Sequence, residues 1–258
     1  MPVRKRELSA APRRKRLLLY LPLLLLAVLI LAAAIYLEDY YHAGGDALRV
    51  LDHPAPSVTV RREKNRVLFL PDQPVAGVIF YPGAKVQYEA YAPLMEACAE
   101  RGVLCVLLRM PGNLAVLGRE AASGIAAEFP EVADWYIGGH SLGGAMAASY
   151  ACAHSGELEG LILLAAYSTG DLSQSGLRVL SIYGSADGVL NMEKYNSARN
   201  LLPAGTREVV LEGGCHAFFG SYGPQKGDGQ PGISREEQLL RTAEEIAAFL
   251  TDAAEAAA

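Results

Sequence analysis

The feature that most constrains the fold of this chain is the stretch Asp134–Tyr150, which reads DWYIGGHSLGGAMAASY. It begins with an apolar run typical of a buried strand and ends with small residues typical of a helix. Between the two lies Gly139-x-Ser141-x-Gly143, the pattern of a nucleophile elbow, in which a sharp turn joins a strand to a helix. Glycine is needed on both sides because a Cβ there would strike the neighbouring strand or helix. The pattern predicts a strained Ser141 whose hydroxyl lies at the end of a sheet, beside the free N–H groups of the helix.

A five-residue pattern of this kind also arises by chance in turns, and the chain contains 26 glycines. The strand-like run before it and the helix-like run after it argue against chance. An aspartate and a histidine also follow in the chain order Ser, Asp, His, as the catalytic use of such an elbow requires. We therefore interpret Ser141 as a nucleophile.

Strand-like and helix-like segments alternate along most of the chain. Such alternation predicts an α/β fold with a mostly parallel, doubly wound sheet that has helices on both faces. The first two strands should form an antiparallel hairpin, and Ser234, with Glu237 three residues later, should cap the last helix. Ligands of such sheets bind at the carboxyl ends of the strands. Strands are expected at residues 58–62, 66–70, 75–81, 103–108, 135–138, 161–166, 178–183 and 208–211, and helices at 88–100, 122–128, 142–153, 192–201 and 234–250.

A serine hydroxyl needs a base to become a nucleophile, and the chain has five histidines. His216 follows the last predicted strand in a glycine-rich loop, where a base that reaches Ser141 would lie. It is therefore the candidate base, and an inert loop histidine is the alternative. The remaining histidines lie before the predicted domain, in the elbow itself or at the end of the helix after it, namely His42, His53, His140 and His154.

The base in turn needs a carboxylate that fixes its tautomer and stabilises the imidazolium ion. Asp187 directly follows the penultimate predicted strand, in the sequence YGSADG, and is the candidate. Asp171, after the preceding strand, and the more distant Glu212 are rivals. An Asp before a Gly also often closes a local turn with its own side chain, which is the alternative for Asp187.

The oxyanion of a tetrahedral intermediate should bind two backbone N–H groups. One is that of Leu142, the residue after the nucleophile, and the other should come from the loop after the third strand. In that loop Ala84 is the first choice and Gly83 the alternative. Lys85, which follows, is interpreted as a solvated lysine, although a charge that attracts acidic substrates is also conceivable.

An apolar run without charges, residues 17–37, follows a basic head, residues 1–16. As a helix it would cross a hydrocarbon core of ~30 Å, and the basic cluster predicts that the body lies outside the cytoplasm. The run is longer than the usual core of a signal peptide, but small residues at 32–34 leave a cleaved signal peptide as the alternative. The expected organisation is head, transmembrane anchor, spacer, α/β domain and tail, at residues 1–16, 17–37, 38–55, 56–252 and 253–258.

Charge and composition exclude several other classes of function. The net charge is −5 although the head is strongly basic, so the body is acidic and unsuited to nucleic acid. No pattern for a cofactor or a metal is found; Asp228, between two glycines, does not fit a calcium loop and is interpreted as a turn residue. The cysteines lack the spacing of a metal site. Cys98 and Cys105 could pair, but a buried thiol is the expectation for each of Cys98, Cys105, Cys152 and Cys215.

Five segments together resemble the α/β-hydrolase superfamily and, within it, small lidless members similar to dienelactone hydrolases, over roughly residues 56–252. The resemblance implies the α/β-hydrolase fold and hydrolysis of carboxylic esters or related acyl groups through an acyl-serine intermediate. Dienelactone hydrolases have cysteine where this chain has Ser141, which indicates a general esterase; Pro82 also stands where many relatives have a histidine. The first two segments further suggest a subfamily of membrane-anchored bacterial proteins. The segments are FYPGAKV (80–86), MPGNLA (110–115), GGHSLGG (138–144), YGSADG (183–188) and GCHA (214–217).

The sequence therefore predicts a membrane-anchored, extracytoplasmic serine hydrolase with the triad Ser141, Asp187 and His216. Its substrate would be a small-molecule ester, and neither a cofactor nor a metal is expected. Few residues separate Tyr167 from Leu177, too few for a cap domain, so the site should be open. An acyltransferase on the same fold and a non-catalytic cell-surface binding module remain the alternatives.

Overall fold

The computed structural model of the chain describes residues 11–256, and the side chains of residues 20–36 and 38–252. The chain divides into two units, Met1–Asp39 and Tyr40–Ala258. The predicted basic head and tail, residues 1–16 and 253–258, lie wholly or partly outside the described residues.

The first unit contains the helix α1, Ala11–Glu38, with Pro22 inside it. Large apolar side chains between Tyr20 and Tyr36 are exposed on it. Within the described part of the chain, no helix combines the length and the apolar character that a bilayer crossing requires. The predicted span, residues 17–37, extends beyond the described side chains at both ends, and the prediction of a transmembrane helix gains no support from them.

Eight strands form a single sheet: β1 (Val58–Arg62), β2 (Arg66–Pro71), β3 (Ala76–Tyr81), β4 (Val103–Leu108), β5 (Trp135–His140), β6 (Gly160–Leu164), β7 (Arg178–Gly184) and β8 (Arg207–Leu211). Their spatial order is β1-β2-β4-β3-β5-β6-β7-β8. β2 pairs antiparallel with β1 and β4, and all other neighbours are parallel. The predicted hairpin and the mostly parallel sheet are confirmed. The six strands from β3 to β8 all run in the same direction. Their carboxyl ends therefore lie along one edge of the sheet.

Helices cover both faces of this sheet. Along β3, Val78 and Phe80 belong to one apolar cluster, and Ile79 and Tyr81 belong to the other. The first cluster includes residues of α2 (Gly45–Asp52), α3 (Ala92–Ala99) and α6 (Arg235–Ala256), and the second includes residues of α4 (Leu142–Ala153), as the doubly wound prediction requires. The helices are α2 (Gly45–Asp52), α3 (Ala92–Ala99), α4 (Leu142–Ala153), α5 (Met192–Ala198) and α6 (Arg235–Ala256).

Two helix predictions differ from the structure, whereas the helix predicted at 142–153 and the last helix are confirmed. Residues 122–128 form only a 3-10 turn, Ala126–Glu128, because Gly124 lies before it in the left-handed region with φ of 78°. The predicted helix at 88–100 is a 3-10 turn, Tyr88–Tyr91, followed by the shorter α3. The cap of α6 is as expected, since the Glu237 N–H donates to Ser234 Oγ at 3.1 Å.

Residues 40–55, predicted as part of a spacer, belong to the second unit and pack against its other elements. Tyr41 forms a parallel bridge with Val86, and α2 buries Ala47 and Leu51. Asp46 accepts a hydrogen bond from Ser221 Oγ and one from Arg235. The segment is short and partly polar, so its sequence periodicity does not predict this packing.

The packing of α2 leads to a stability prediction with a control on the same helix. Leu51 is 7% exposed, whereas Leu48 is 41% exposed. We expect Leu51→Ala to lower the free energy of unfolding by about 2–4 kcal/mol, because it removes buried methyl groups and leaves a cavity. Leu48→Ala should change it by less than about 0.5 kcal/mol. Urea unfolding of both variants measures the difference, and equal values would show that α2 is not part of the folded core.

Candidate active site

Ser141 lies on the turn between β5 and α4. Its φ of 54° and ψ of −123° are strained for a residue with a Cβ, as the elbow pattern predicts. Its backbone N–H donates to the Leu164 carbonyl of β6 at 2.9 Å, which holds the turn against the neighbouring strand. The side chain makes no capping bond to the helix. The hydroxyl is therefore presented at the carboxyl ends of the strands.

The elbow glycines occupy places where no side chain fits. A Cβ on Gly139 would stand 2.6 Å from the carbonyl carbon of Gly143 and 2.7 Å from the carbonyl oxygen of Tyr81. A Cβ on Gly143 would overlap the carbonyl oxygens of Tyr81 and Pro82. The first turn of α4 therefore packs directly on the backbone that leaves β3, which brings the loop after β3 beside Ser141.

Asp187 and His216 follow β7 and β8 and meet at the same edge of the sheet. Asp187 Oδ2 lies 2.8 Å from His216 Nδ1, and both side chains are only 1% exposed. Asp187 Oδ1 accepts the N–H groups of Val189 and Leu190, at 2.8 Å each. Asp187 therefore closes the local turn and holds the histidine, so the two interpretations of this residue are compatible.

Ser141 and His216 line one cavity of about 330 Å³. His216 Nε2 is buried and has no hydrogen-bond partner among the described residues. The rival carboxylates are engaged elsewhere, since Asp171 accepts the Ser173 N–H and Glu212 accepts Ser185 Oγ. The rest of the lining is mostly apolar and comprises Leu142, Ala145, Met146, Ala165, Ala166, Tyr167, Thr169, Val189, Leu190 and Asn191.

Two residues that were not predicted as part of the site hold the His216 loop. Gln238 of α6 is fully buried and bonds both backbone groups of Cys215, accepting its N–H at 2.9 Å and donating to its carbonyl at 2.8 Å. Asp228, interpreted as a turn residue, accepts the backbone N–H groups of His216, Ala217 and Gly188 at 3.0, 2.7 and 3.2 Å. Asp228 thus ties the His216 loop to the turn after Asp187.

The charge of Asp228 fits this bridging role. Burial acts to raise the pKa of its carboxyl, but the hydrogen bonds from the three backbone N–H groups outweigh burial and lower the pKa below its ordinary 3.8. The flanking glycines were the available sequence signal, because a Cβ on Gly229 would overlap the carbonyl oxygen of Ala186. Glycines that flank a polar residue can mark such a close contact between loops.

His140 is buried beside the site and neutral. Its Nδ1 lies 2.8 Å from the Tyr91 hydroxyl, and its ring centroid lies 4.5 Å from that of His216 and 5.6 Å from that of Phe219. Burial, and then the neighbouring His216, hold the pKa of His140 well below its ordinary 6.5. His154, in contrast, caps α4 between Glu157 and Glu120, whose hydrogen bonds raise its pKa.

The depressed pKa of His140 predicts a loss of stability in acid. Below pH 6.5 the unfolded chain binds a proton at this imidazole and the folded chain does not, so falling pH favours unfolding. The cost is at most about 1.4 kcal/mol per pH unit, down to the folded-state pKa. We expect His140→Asn to unfold with a flatter dependence on pH between 5 and 6.5 than the wild type, measured with urea. Parallel pH dependences would contradict a neutral buried His140.

The loop after β3 presents the candidate oxyanion donors. The Gly83 N–H already donates to the Tyr91 hydroxyl, at 3.0 Å. Among the described residues, the Ala84 N–H has no hydrogen-bond acceptor. Leu142 is the first residue of α4, so its N–H has no acceptor within the helix. Leu142 lines the cavity, whereas Ala84 is half-buried and outside the lining.

The described residues contain no group of three or more His, Cys, Asp or Glu side chains that could hold a metal ion. All four cysteines are free thiols. Cys98 and Cys105 are buried and form no disulfide. Cys152 is exposed, in contrast to the expectation of burial. Cys215 precedes the candidate base, and burial, with Asp228 next to it, raises the pKa of its thiol to about 12. It therefore remains a neutral thiol at ordinary pH.

Solved structures with the same fold are numerous. Carboxyl esterase 2 from the fungus Tuber melanosporum matches with a TM-score of 0.56 and 10% identity, over 82% of this chain and 91% of the esterase. Est1E from Butyrivibrio proteoclasticus matches with a TM-score of 0.55 and 14% identity, over 76% and 99%. Dienelactone hydrolase from Anabaena variabilis matches with a TM-score of 0.54 and 13% identity, over 76% of this chain and 98% of the hydrolase. At these identities the likeness concerns the fold.

Sequence comparison gives the family. No curated protein matches this chain significantly. The sequence profile described as "Alpha/beta hydrolase family" matches residues 77–240, which is more than half of the chain and includes the elbow, Asp187 and His216. With its strand order and its strained serine between β5 and α4, the chain belongs to the alpha/beta hydrolase family.

Proposed function

We propose that this protein is a serine hydrolase that cleaves carboxylic esters through an acyl-serine intermediate. One observation carries the proposal: His216, held by Asp187 at Nδ1, keeps Nε2 without a partner and shares a cavity with the strained Ser141. A binding module would need none of this arrangement. The family supports a hydrolase, and the name of one fold neighbour, carboxyl esterase 2, describes an esterase.

Each group has a role in the proposed reaction. His216 Nε2 takes the proton of the Ser141 hydroxyl while Oγ attacks the ester carbonyl carbon. Asp187 accepts the Nδ1–H of His216 and stabilises the imidazolium. The Leu142 and Ala84 N–H groups donate to the oxyanion, which collapses and expels the alcohol, protonated by His216. Water then attacks the acyl-serine by the same steps and releases the acid.

The cavity favours small esters. Its volume of about 330 Å³ is at the lower end of the range for ligand pockets, ~300–1,000 Å³. Its walls are mainly alanine, leucine, valine and methionine, which suits a short aliphatic acyl or alcohol group rather than a charged one. We therefore infer short-chain esters as the substrate class.

We also propose that the apolar run, residues 17–37, anchors the protein in a membrane with the catalytic unit on the extracytoplasmic side. The proposal rests on the basic head, residues 1–16, and the apolar run, residues 17–37, on which large apolar side chains are exposed. Membrane fractionation with N-terminal sequencing of the mature protein tests it. A mature N-terminus just after Ala34 would show a cleaved signal peptide instead.

A fluorophosphonate probe tests the catalytic proposal. Such a probe reacts covalently with an activated serine, so we expect one adduct, mapped to Ser141, and none in Ser141→Ala. Labelling that persists in Ser141→Ala would show that another serine is the nucleophile. A folded wild type that is not labelled would favour the binding module, and p-nitrophenyl esters assayed with and without added alcohols would detect an acyltransferase.

A further inference from the structure

Tyr91 occupies an unusual place behind the candidate oxyanion loop. It ends the 3-10 turn after that loop, and its side chain is completely buried, with a relative exposure of 0%. Its hydroxyl contacts one residue of the loop after β3 and one residue beside the nucleophile: it accepts the Gly83 N–H at 3.0 Å and lies 2.8 Å from His140 Nδ1. The hydroxyl thus connects the loop after β3 to the residue that precedes the nucleophile.

The direction of the first bond follows from donor chemistry, and that of the second from the need to pair the buried tyrosine proton. A backbone N–H can only donate, so the Tyr91 oxygen accepts from Gly83. Of its two partners only His140 Nδ1 can accept, so the buried Tyr91 proton is paired when it donates to Nδ1 as the unprotonated nitrogen of a neutral imidazole. Burial raises the pKa of the Tyr91 hydroxyl and lowers that of His140, so both groups stay neutral at ordinary pH. The chain of bonds Gly83–Tyr91–His140 therefore keeps one direction.

These hydrogen bonds fix the position of the Gly83 peptide, which precedes Ala84. A Cβ on Gly83 would stand 2.8 Å from the Tyr91 hydroxyl and 2.9 Å from His140 Nδ1, so the Gly83 backbone is seated directly on both side chains. The next residues are held from other sides, since the Lys85 N–H donates to the Asn113 carbonyl at 2.8 Å and the Tyr41 N–H donates to the Lys85 carbonyl at 2.7 Å. Between these supports, the Ala84 N–H is left without an acceptor.

We propose that Tyr91 is a positioning residue that, through the Gly83 peptide and His140, sets the Ala84 N–H as the second oxyanion donor. The inference rests on the proposed hydrolase function and deepens it. It selects Ala84 over Gly83, whose N–H is already used. It also gives the buried His140 a role other than that of a base: an acceptor that orients the tyrosine hydroxyl.

Tyr91→Phe in the full-length protein tests the proposal. The variant keeps the ring but leaves the Gly83 N–H unpaired, so the loop can move. Loss of one oxyanion donor costs about 10²–10³-fold in kcat, and a displaced donor should cost less, about 10–100-fold. We expect this loss in kcat with p-nitrophenyl acetate, with KM changed by less than about twofold, because the donor acts on the transition state. The affinity for phenylboronic acid, which forms a tetrahedral adduct with serine, should fall by the same factor as kcat.

The matched control is Tyr195→Phe. Tyr195 is 3% exposed and its hydroxyl bonds Ser181 and Glu208, away from the site. It should keep the wild-type kcat and boronate affinity. If Tyr91→Phe does not fold, a second pair of variants at His140 tests the same bond. His140→Asn keeps an acceptor near the Nδ1 position and should keep kcat within about threefold. His140→Leu removes the acceptor and should lose as much kcat as is expected of Tyr91→Phe.

The outcomes separate this inference from the function on which it rests. Wild-type kcat and boronate affinity in Tyr91→Phe, or equal kcat in His140→Asn and His140→Leu, would overturn the role of Tyr91 while fluorophosphonate labelling of Ser141 stays intact. A lower kcat with unchanged boronate affinity would do the same, because it would mean that the oxyanion site is undisturbed. A wild type without labelling at Ser141 would overturn the hydrolase proposal itself, and the role of Tyr91 with it.

Discussion

Asp187→Asn is expected to lower kcat for ester hydrolysis about 10⁴-fold while the protein stays folded. The direction of the effect follows from how the carboxylate is held. Oδ1 accepts two backbone N–H groups, from Val189 and Leu190, and Oδ2 faces His216 Nδ1. An asparagine in this place must keep its carbonyl oxygen toward the two N–H groups, so its NH₂ faces the histidine.

The reversed hydrogen bond would change the tautomer of His216. An NH₂ group donates to Nδ1, which must then be unprotonated, so the imidazole proton moves to Nε2. A protonated Nε2 cannot accept the Ser141 proton, and the base is lost without a change in packing. KM should change little, since Asp187 lies behind His216 and does not line the cavity.

Asp171→Asn is the matched control for this experiment. Asp171 was the rival carboxylate in the sequence; it is exposed and accepts the Ser173 N–H. It should keep the wild-type kcat with p-nitrophenyl butyrate, and thermal unfolding should confirm that both variants fold. A normal kcat in Asp187→Asn, or a large loss in Asp171→Asn, would mean that the carboxylate partner is wrongly assigned.

The sequence predicted the parts of the site that depend on local order along the chain. A strand, a turn and a helix fix Ser141, and the carboxyl ends of β7 and β8 necessarily fall at the same edge of a parallel sheet, so Asp187 and His216 could be expected to meet there. The strand positions agree within a few residues, because apolar runs such as Val103–Leu108 are buried on both faces and therefore unambiguous. These predictions needed no knowledge of tertiary contacts.

What the sequence did not predict depends on contacts between distant segments. Asp228 bonds residues that precede it by 12 and 11 positions, and Gln238 reaches back 23 positions to Cys215. Neither carries a motif, and only the packing of the loops brings them together. Tyr91 is similar, because no periodicity shows that one hydroxyl meets both Gly83 and His140.

The segment after α1 shows a different limit. Residues 40–55 have the composition of a linker, yet Ala43 donates its N–H to Gln87, and Ala55 donates its N–H to Glu96. Backbone groups make these bonds, and any residue type supplies a backbone N–H. Composition could therefore not reveal that this segment supports the candidate oxyanion loop through Tyr41.

Gly143→Ala should destabilise the protein by about 3–5 kcal/mol, although an alanine in a helix normally gains about 1 kcal/mol over glycine. The sign is reversed because the new Cβ would overlap the carbonyl oxygens of Tyr81 and Pro82, and Tyr81 cannot retreat while it is paired with Gly139 in the sheet. Either α4 moves away from the loop after β3, or the elbow opens; both separate Leu142 from Ala84.

Gly156→Ala is the matched control, with nothing within 4 Å of its Cβ, and should change stability by less than about 1 kcal/mol. Urea unfolding gives both values, and fluorophosphonate labelling of Ser141 should slow only in Gly143→Ala. If the two variants proved equally stable, α4 could not rest on the backbone of the oxyanion loop, and the elbow would lack the close packing on which the strained serine depends.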